Sequence, residues 1–380
     1  MLRFQSFWMA GFEGADHINS HGTPLSMNEF TQHTANAEGD YGRLAHFGIS
    51  TVRESIGWRT SGSRHYDFSS LQSRAAAAEK LGIQVCWTFL HYGIPEDIDL
   101  FSNDFHMRFA DFCAAATRYL TRFSLVDPLY TPINEISFHT FALAHTRLMH
   151  PFSVHGLAGR IKEQLLAASR AGAMAIRSID PTAQFLQGDP VIHVIPPAAR
   201  PELAELAERE SKSQYEVWDW LSKNDLLDVM SLHHYHSNQW ECSTGERLHW
   251  HLNDPRRKPL REIIAECHRR YDKPLIVGET SHFGVGRGLW IMEVAKEVAA
   301  SLASGVPVKG ICLYPIVDRQ DWEDLNHWHN SGLWDYAHGS GFLERILNID
   351  YAADLRLAQT YVIPPAADGT EYAVVPVTEG

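Results

Sequence analysis

Eight short apolar runs, each followed by a stretch of helical character, constrain this sequence more than any other feature. The runs lie near residues 5–11, 49–54, 83–90, 128–133, 184–188, 227–233, 274–279 and 308–315. Several are continuous enough to be buried on both faces, which points to a parallel sheet covered by helices. Helix-like segments fall near 38–47, 69–81, 103–124, 156–179, 202–223, 258–271, 288–304 and 341–348, some closed by glycine, as in Leu81-Gly82 and Ser304-Gly305. Strand and helix in strict turn imply right-handed crossovers. Eight units predict closure into an α/β (β/α)8 TIM barrel, whose working residues gather at the C-terminal ends of the strands. An open doubly wound sheet is the alternative, but no G-x-G-x-x-G or phosphate-loop pattern follows an early run.

With 380 residues, 44% of them hydrophobic, the chain can bury a large core, and one domain is expected over residues 1–361. Ile363-Pro364-Pro365-Ala366-Ala367-Asp368-Gly369 has the composition of a linker, so 362–380 reads as a C-terminal tail or linker. The formal net charge of −13 argues against nucleic acid or an anionic membrane surface as the main partner. No apolar run approaches about 18 residues, and the opening segment turns polar too quickly for a signal peptide. No membrane insertion and a cytoplasmic location are therefore expected. Cys86, Cys113, Cys242, Cys267 and Cys312 are widely spaced with no C-x-x-C pair, and read as reduced packing residues. Oligomeric state has no signature here.

Two acids stand at the ends of such runs: Glu135 in Thr131-Pro132-Ile133-Asn134-Glu135, and Glu279 in Leu275-Ile276-Val277-Gly278-Glu279-Thr280. Two carboxyls facing across a pocket are the minimum equipment for glycosidic bond hydrolysis, one to protonate the leaving oxygen and one to attack or to activate water. The other run ends supply Arg53, His91, His233, Tyr235 and Tyr314, with Asp321 and Trp322 just beyond the eighth. Hydrogen-bonding groups beside aromatic planes suit a sugar, whose hydroxyls need directional partners and whose C–H face packs on a ring.

These segments resemble family 1 glycoside hydrolases, the β-glucosidase and β-galactosidase group within the retaining (β/α)8 clan A. Val52-Arg53-Glu54-Ser55-Ile56-Gly57-Trp58 is similar to the family's Y-R-F-S-I-S-W, and His91-Tyr92-Gly93-Ile94-Pro95 to its H-W-D-L-P. Thr131–Glu135 stands where the family has T-F-N-E-P, Gly278-Glu279-Thr280-Ser281 where it has T-E-N-G, and Val308–Trp322 looks like V-x-G-Y-F-x-W-S-L-L-D-N-F-E-W. The resemblance implies an exo-acting retaining β-glycosidase with Glu135 as acid and base and Glu279 as nucleophile, needing no cofactor or metal. It further implies Arg53 beneath Glu279, Tyr235 donating to it, Asn134 on the sugar 2-hydroxyl, and His91, His233, Tyr314, Asp321 and Trp322 around the substrate.

Departures from the family bear on the sugar. Gly11-Phe12-Glu13-Gly14 lacks the Gln of the family's Q-x-E-G, Asp321 replaces a Glu, and His233-His234-Tyr235 is closer to the H-x-Y of cellulase-like clan members. Plain β-glucosides are therefore expected to be poor substrates, with another β-sugar preferred, such as a 6-deoxy one. Two rival functions remain. A metal-dependent hydrolase on the same barrel would use some of the 22 histidines, with H-x-H pairs at His249-Trp250-His251 and His327-Trp328-His329. A catalytically silent carbohydrate-binding barrel would keep the pocket without the chemistry.

Overall fold

Strand pairing follows chain order all the way round. The computed structural model describes residues 3–337, 341–363 and 373–374. Its barrel strands are β1 Trp8–Gly11, β2 Thr51–Ser55, β3 Gln84–Leu90, β4 Val126–Ile133, β5 Gln184–Pro190, β6 Val229–His233, β7 Leu275–Thr280 and β8 Val308–Leu313. Each pairs in parallel with its neighbours, and β8 closes on β1 through Trp8↔Ile311, Met9↔Cys312 and Ala10↔Leu313. Closure removes the unpaired edges that an open sheet would leave. The outer helices are α1 His33–Leu44, α2 Ser69–Leu81, α3 Phe105–Leu120, α4 Ala158–Ile179, α5 Glu216–Lys223, α6 Leu260–Tyr271, α7 Arg287–Ala303 and α8 Ile349–Tyr361. The chain is thus a single-domain (β/α)8 TIM barrel.

The apolar runs serve two cores at once. Outward side chains of the strands pack against the helices in one large cluster, which includes Trp87, Phe89, Tyr130 and Val277. Inside the barrel, Met9, Cys86, Leu129, Leu186, Val229, Ile276 and Cys312 form a separate plug. Every strand except β2 contributes to that plug. All five cysteines are free and buried. Among the described residues, no helix is long and apolar enough to cross a membrane.

Three segments differ from expectation. The helix expected over 341–348 is displaced: Arg345–Leu347 pairs antiparallel with Trp334–Tyr336, and α8 starts after Asn348, whose side chain accepts Tyr351 N–H at 3.0 Å. Asn348 is thus the N-cap. The helix expected over 202–223 divides into Ala204–Lys212 and α5, joined by a tight turn at Ser213–Tyr215. A helix at Ile136–His145 was not expected, because it is apolar on most sides and has no amphipathic period. Of the tail at 362–380, Val362–Ile363 pairs with Ala373–Val374, and the rest lies outside the described residues.

Candidate active site

Glu135 and Glu279 leave the barrel at the ends of β4 and β7, and both are buried. Glu135 adopts left-handed backbone geometry (φ 45°), as does Tyr92 (φ 78°) at the end of β3. Such a conformation costs a non-glycine residue about 1–2 kcal/mol, a strain that clusters at working sites. Here it turns the Glu135 side chain into the mouth while its N–H bonds Gly188 O on β5 at 3.1 Å. An oxygen of Glu135, an oxygen of Glu279 and a ring nitrogen of His233 all lie within 4.8 Å of one another.

Each carboxyl is held by named donors. Glu279 Oε1 receives Arg53 NH1 at 2.9 Å, and its Oε2 receives Tyr235 OH at 2.9 Å. Arg53 also donates to Gly278 O at 2.7 Å and to Asn134 Oδ1 at 3.1 Å, so one guanidinium ties β2, β4 and β7 together. Glu135 Oε2 accepts the Tyr92 hydroxyl, and its Oε1 lies 2.7 Å from His233 Nδ1. Burial pushes His233 down to about 3, so the ring is neutral. With Nδ1–H donating to Glu135, Nε2 is the acceptor for Ser231 Oγ at 3.1 Å. Glycines make this fit: a Cβ on Gly188 would lie 2.4 Å from His233 Nε2, and one on Gly278 1.7 Å from Ser231 Oγ.

Burial raises Glu135 to about 7, against the opposing pull of the Tyr92 hydrogen bond and Arg53. Burial also raises Glu279, opposed by His233 and Arg53 and reinforced by Glu135. Direct contact with Arg53 makes Glu279 the better home for charge, and leaves Glu135 as the natural proton holder.

The remaining predicted residues divide. His91 lies 3.3 Å from Asn134 Nδ2, and Tyr314 OH sits 3.5 Å from both His91 Nδ1 and Glu13. Trp322 packs on Tyr92 with ring centroids 5.8 Å apart. Asp321 is engaged elsewhere: its oxygens accept Glu323 and Asp324 N–H at 2.7 and 3.1 Å and meet His329 Nε2 at 2.9 Å. It shapes its own loop.

Three residues were not singled out from sequence. Tyr92 lies inside a quoted motif. Glu13, noted only as a departure, is buried and ion-paired with Arg319 at 3.1 Å. Asp189 at the end of β5 accepts Ser137 N–H at 3.1 Å and Ser137 Oγ–H at 2.7 Å. That caps the helix Ile136–His145 from outside, leaving Glu135, its N-cap residue, free of capping. Burial pushes Asp189 up to about 8, and nearby Glu135 adds to this against the Ser137 hydrogen bonds. The signal available was an acid closing a strand, as at Glu135.

Among the described residues, Glu135, His233 and Glu279 form the one group of three side chains able to hold a metal. The donor set suits one poorly, because Arg53 already places a cation on Glu279 Oε1. His249 and His251 have ring centroids 5.3 Å apart without a third ligand, and His329 pairs with Asp321.

No protein-family model and no curated protein matches the sequence. Solved structures do match. The hyperthermophilic β-glucosidase of Pyrococcus furiosus superposes with a TM-score of 0.74 at 13% identity, over 94% of this chain and 96% of that one. The family 1 β-glucosidase of Thermotoga maritima gives 0.72 at 13%, over 94% and 98%. The Thermotoga enzyme in complex with glucoimidazole gives 0.70 at 14%, over 93% and 98%. At such identity the likeness establishes the fold: this chain has the same (β/α)8 barrel as these β-glucosidases.

Proposed function

We propose that the protein is a retaining, exo-acting β-glycosidase acting by double displacement. The observation that carries the reading is the pair of buried carboxyls on β4 and β7, with oxygens within 4.8 Å and a single guanidinium bonded to one of them. Retaining enzymes hold their carboxyl groups about 5–5.5 Å apart, inverting ones about 6.5–9.5 Å. A close approach of the two carboxyls favours direct attack by Glu279 over attack by a water held between them.

In this reading Glu279 attacks the anomeric carbon while Glu135 gives its proton to the departing oxygen. Glu135, now ionised, takes a proton from water, and the resulting hydroxide displaces Glu279 and releases the sugar. Arg53 and Tyr235 keep Glu279 charged before attack and receive the charge again when it leaves. In the same reading Asn134, held by Arg53, meets the sugar 2-hydroxyl, where a hydrogen bond strengthens in the transition state. The Thermotoga β-glucosidase is found in complex with glucoimidazole, which accords with a sugar-like ligand for this reading.

The test is a panel of aryl β-glucoside, galactoside, fucoside, mannoside and xyloside with purified protein. Turnover of at least one, with β-configured product seen first by NMR, is expected, and a chelator should leave the rate unchanged. Initial α-product removes the retaining mechanism. Binding without turnover of any glycoside favours the silent carbohydrate-binding barrel, and loss of activity to chelator favours the metal-dependent one.

A further inference from the structure

Tyr92 stands inside a box of rings. The centroids of His17, His139, Trp322 and Phe138 lie 6.1, 5.4, 5.8 and 5.5 Å from its own, and His17 meets Trp322 edge-on at 4.9 Å. Five polar atoms here are buried without a partner: both ring nitrogens of His17, both of His139, and Trp322 Nε1. A buried polar group left unpaired costs about 1–3 kcal/mol. Leucine or phenylalanine would fill the same space without that cost, so five such atoms in one box need a purpose.

The box adjoins the reacting groups. Tyr92 donates to Glu135, and His139 N–H bonds Glu135 O at 2.8 Å. His17 is anchored from the loop after β1, where Leu25 N–H bonds its carbonyl at 2.8 Å and the preceding Asp16 N–H reaches His91 O at 3.3 Å. Trp322 comes from the loop after β8, its carbonyl held by Asn19 Nδ2 at 2.8 Å. Separate parts of the barrel mouth thus bring rings with unpartnered nitrogens around Tyr92.

Their chemistry selects the ligand. Burial pushes His17 and His139 down to about 3, so each ring is neutral and offers one N–H and one lone pair. Together with the indole N–H, the box presents three donors and two acceptors. An anion would face the lone pairs, and a cation would face the N–H groups. Hydroxyls both donate and accept, and the ring faces of Tyr92 and Phe138 suit the C–H surface of a sugar.

We propose that His17, His139 and Trp322 Nε1 form a subsite for adjacent hydroxyls of a neutral sugar ring, making the two histidines specificity-determining residues. This rests on the glycosidase reading above.

The test uses His17→Leu and His139→Leu. If the nitrogens await a ligand, both unliganded variants melt at or above the wild type, since an apolar side chain replaces unpaired polar atoms. An iminosugar of the configuration turned over best should stabilise the wild type and lose most of that effect in both variants. On the matching aryl glycoside, kcat/KM should fall about tenfold or more, carried mainly by KM, as one lost hydrogen bond of about 1.4 kcal/mol requires. Monodeoxy glycosides then map the hydroxyl: the one most penalised by the wild type is no longer penalised by the variants. Melting temperatures lower by several degrees in both variants would make the imidazoles structural and overturn the proposal, as would unchanged KM with unchanged iminosugar stabilisation. A wild type that neither turns over nor binds any sugar overturns the glycosidase reading as well, a result distinct from variants that merely match an active wild type.

Discussion

Arg53 and Glu54 are consecutive residues of β2, and because side chains alternate along a strand they head two buried polar clusters on opposite faces of the barrel wall. Outside, Glu54 accepts His33 Nε2 at 2.7 Å, Tyr41 OH at 2.8 Å and Arg74 NH1 at 2.9 Å. His33 continues through Nδ1 to Asp40 at 2.9 Å, and Asp40 takes both Nε and NH2 of Arg345 at 2.8 Å. Two acids there share four cationic partners, the fourth being Arg43, whose NH1 lies 3.4 Å from Asp40 Oδ1. Burial alone would raise Glu54, but His33 and Arg74 outweigh it and hold the carboxyl below its usual range; Asp40 is lowered likewise by His33 and Arg345. Burial would depress His33, yet Glu54 and Asp40 raise it. Inside, Arg53 is the one cation among the described residues bonded to the Glu135–Glu279 pair, and both acids are raised. Equal burial gives opposite outcomes, and the number of cations decides which. A cluster well supplied with cations holds structure, whereas one left short of a cation holds a movable proton.

The widest contrast comes from removing the acid on each face. Glu279→Ala should cut turnover by at least about 10⁴-fold while the protein stays folded. Glu54→Ala should do the reverse, costing about 3–5 kcal/mol of stability by stranding Arg74 and His33, with kcat/KM of the folded fraction near wild type. Denaturant titration alongside kinetics separates them, and a stable but inactive Glu54→Ala would erase the contrast. Next in size is Asp189→Ala, which frees Ser137 N–H to compete for Glu135 and should lower kcat about ten- to a hundredfold, the scale of a small misplacement. Asp189→Asn, still able to accept that N–H, should recover most of it; equal losses in the two would rule out capping as the cause.

Smaller effects lie in pH. Activity should fall as pH rises through about 7, where Glu135 gives up its proton. Tyr92→Phe removes a hydrogen bond that favours the ionised form, so the alkaline limb of kcat/KM should move to higher pH. A downward move would take the acid role from Glu135. The smallest effect is on stability outside the barrel. With His33 raised, its contribution is fully present below its ordinary 6.5 and is lost as pH rises through the folded value. Melting temperature should therefore decline on the alkaline side, and His33→Gln should flatten that decline. The depressed Glu54 and Asp40 act oppositely, their contribution being lost as pH falls below the ordinary carboxylate range.

The barrel was legible because its strands are buried on both faces and so read as unbroken apolar runs. Glu135 and Glu279 were legible for a related reason: a charge that ends such a run must sit at the mouth. The limits are equally physical. His17 lies in a loop without period, and His139 in a helix apolar on most sides, so neither position announces which way its ring points. Asp189 precedes a proline at the close of β5 and looks like turn chemistry until Ser137 is seen against it. Asp321 was assigned to the substrate because it stands where the resembled family has a Glu, a match of sequence position that says nothing of the loop hydrogen bonds its oxygens make with Glu323 and His329. The displaced eighth helix shows the cost of reading a start from periodicity when the capping Asn348 marked it.

Arg53 reaches across the barrel to Gly278 and Glu279 as well as to Asn134. Consequently the constellation is divided between two halves of the polypeptide. Arg53, Tyr92, Asn134 and Glu135 come from the first four strands, and Asp189, His233, Tyr235 and Glu279 from β5 onward. A gene cut in the loop between α4 and β5 would give one fragment with Glu135 and another with Glu279, each lacking its counterpart. On the proposed glycosidase function, mixing such fragments would convert barrel closure into a colour change on a chromogenic glycoside, making assembly of the fold directly readable as chemistry.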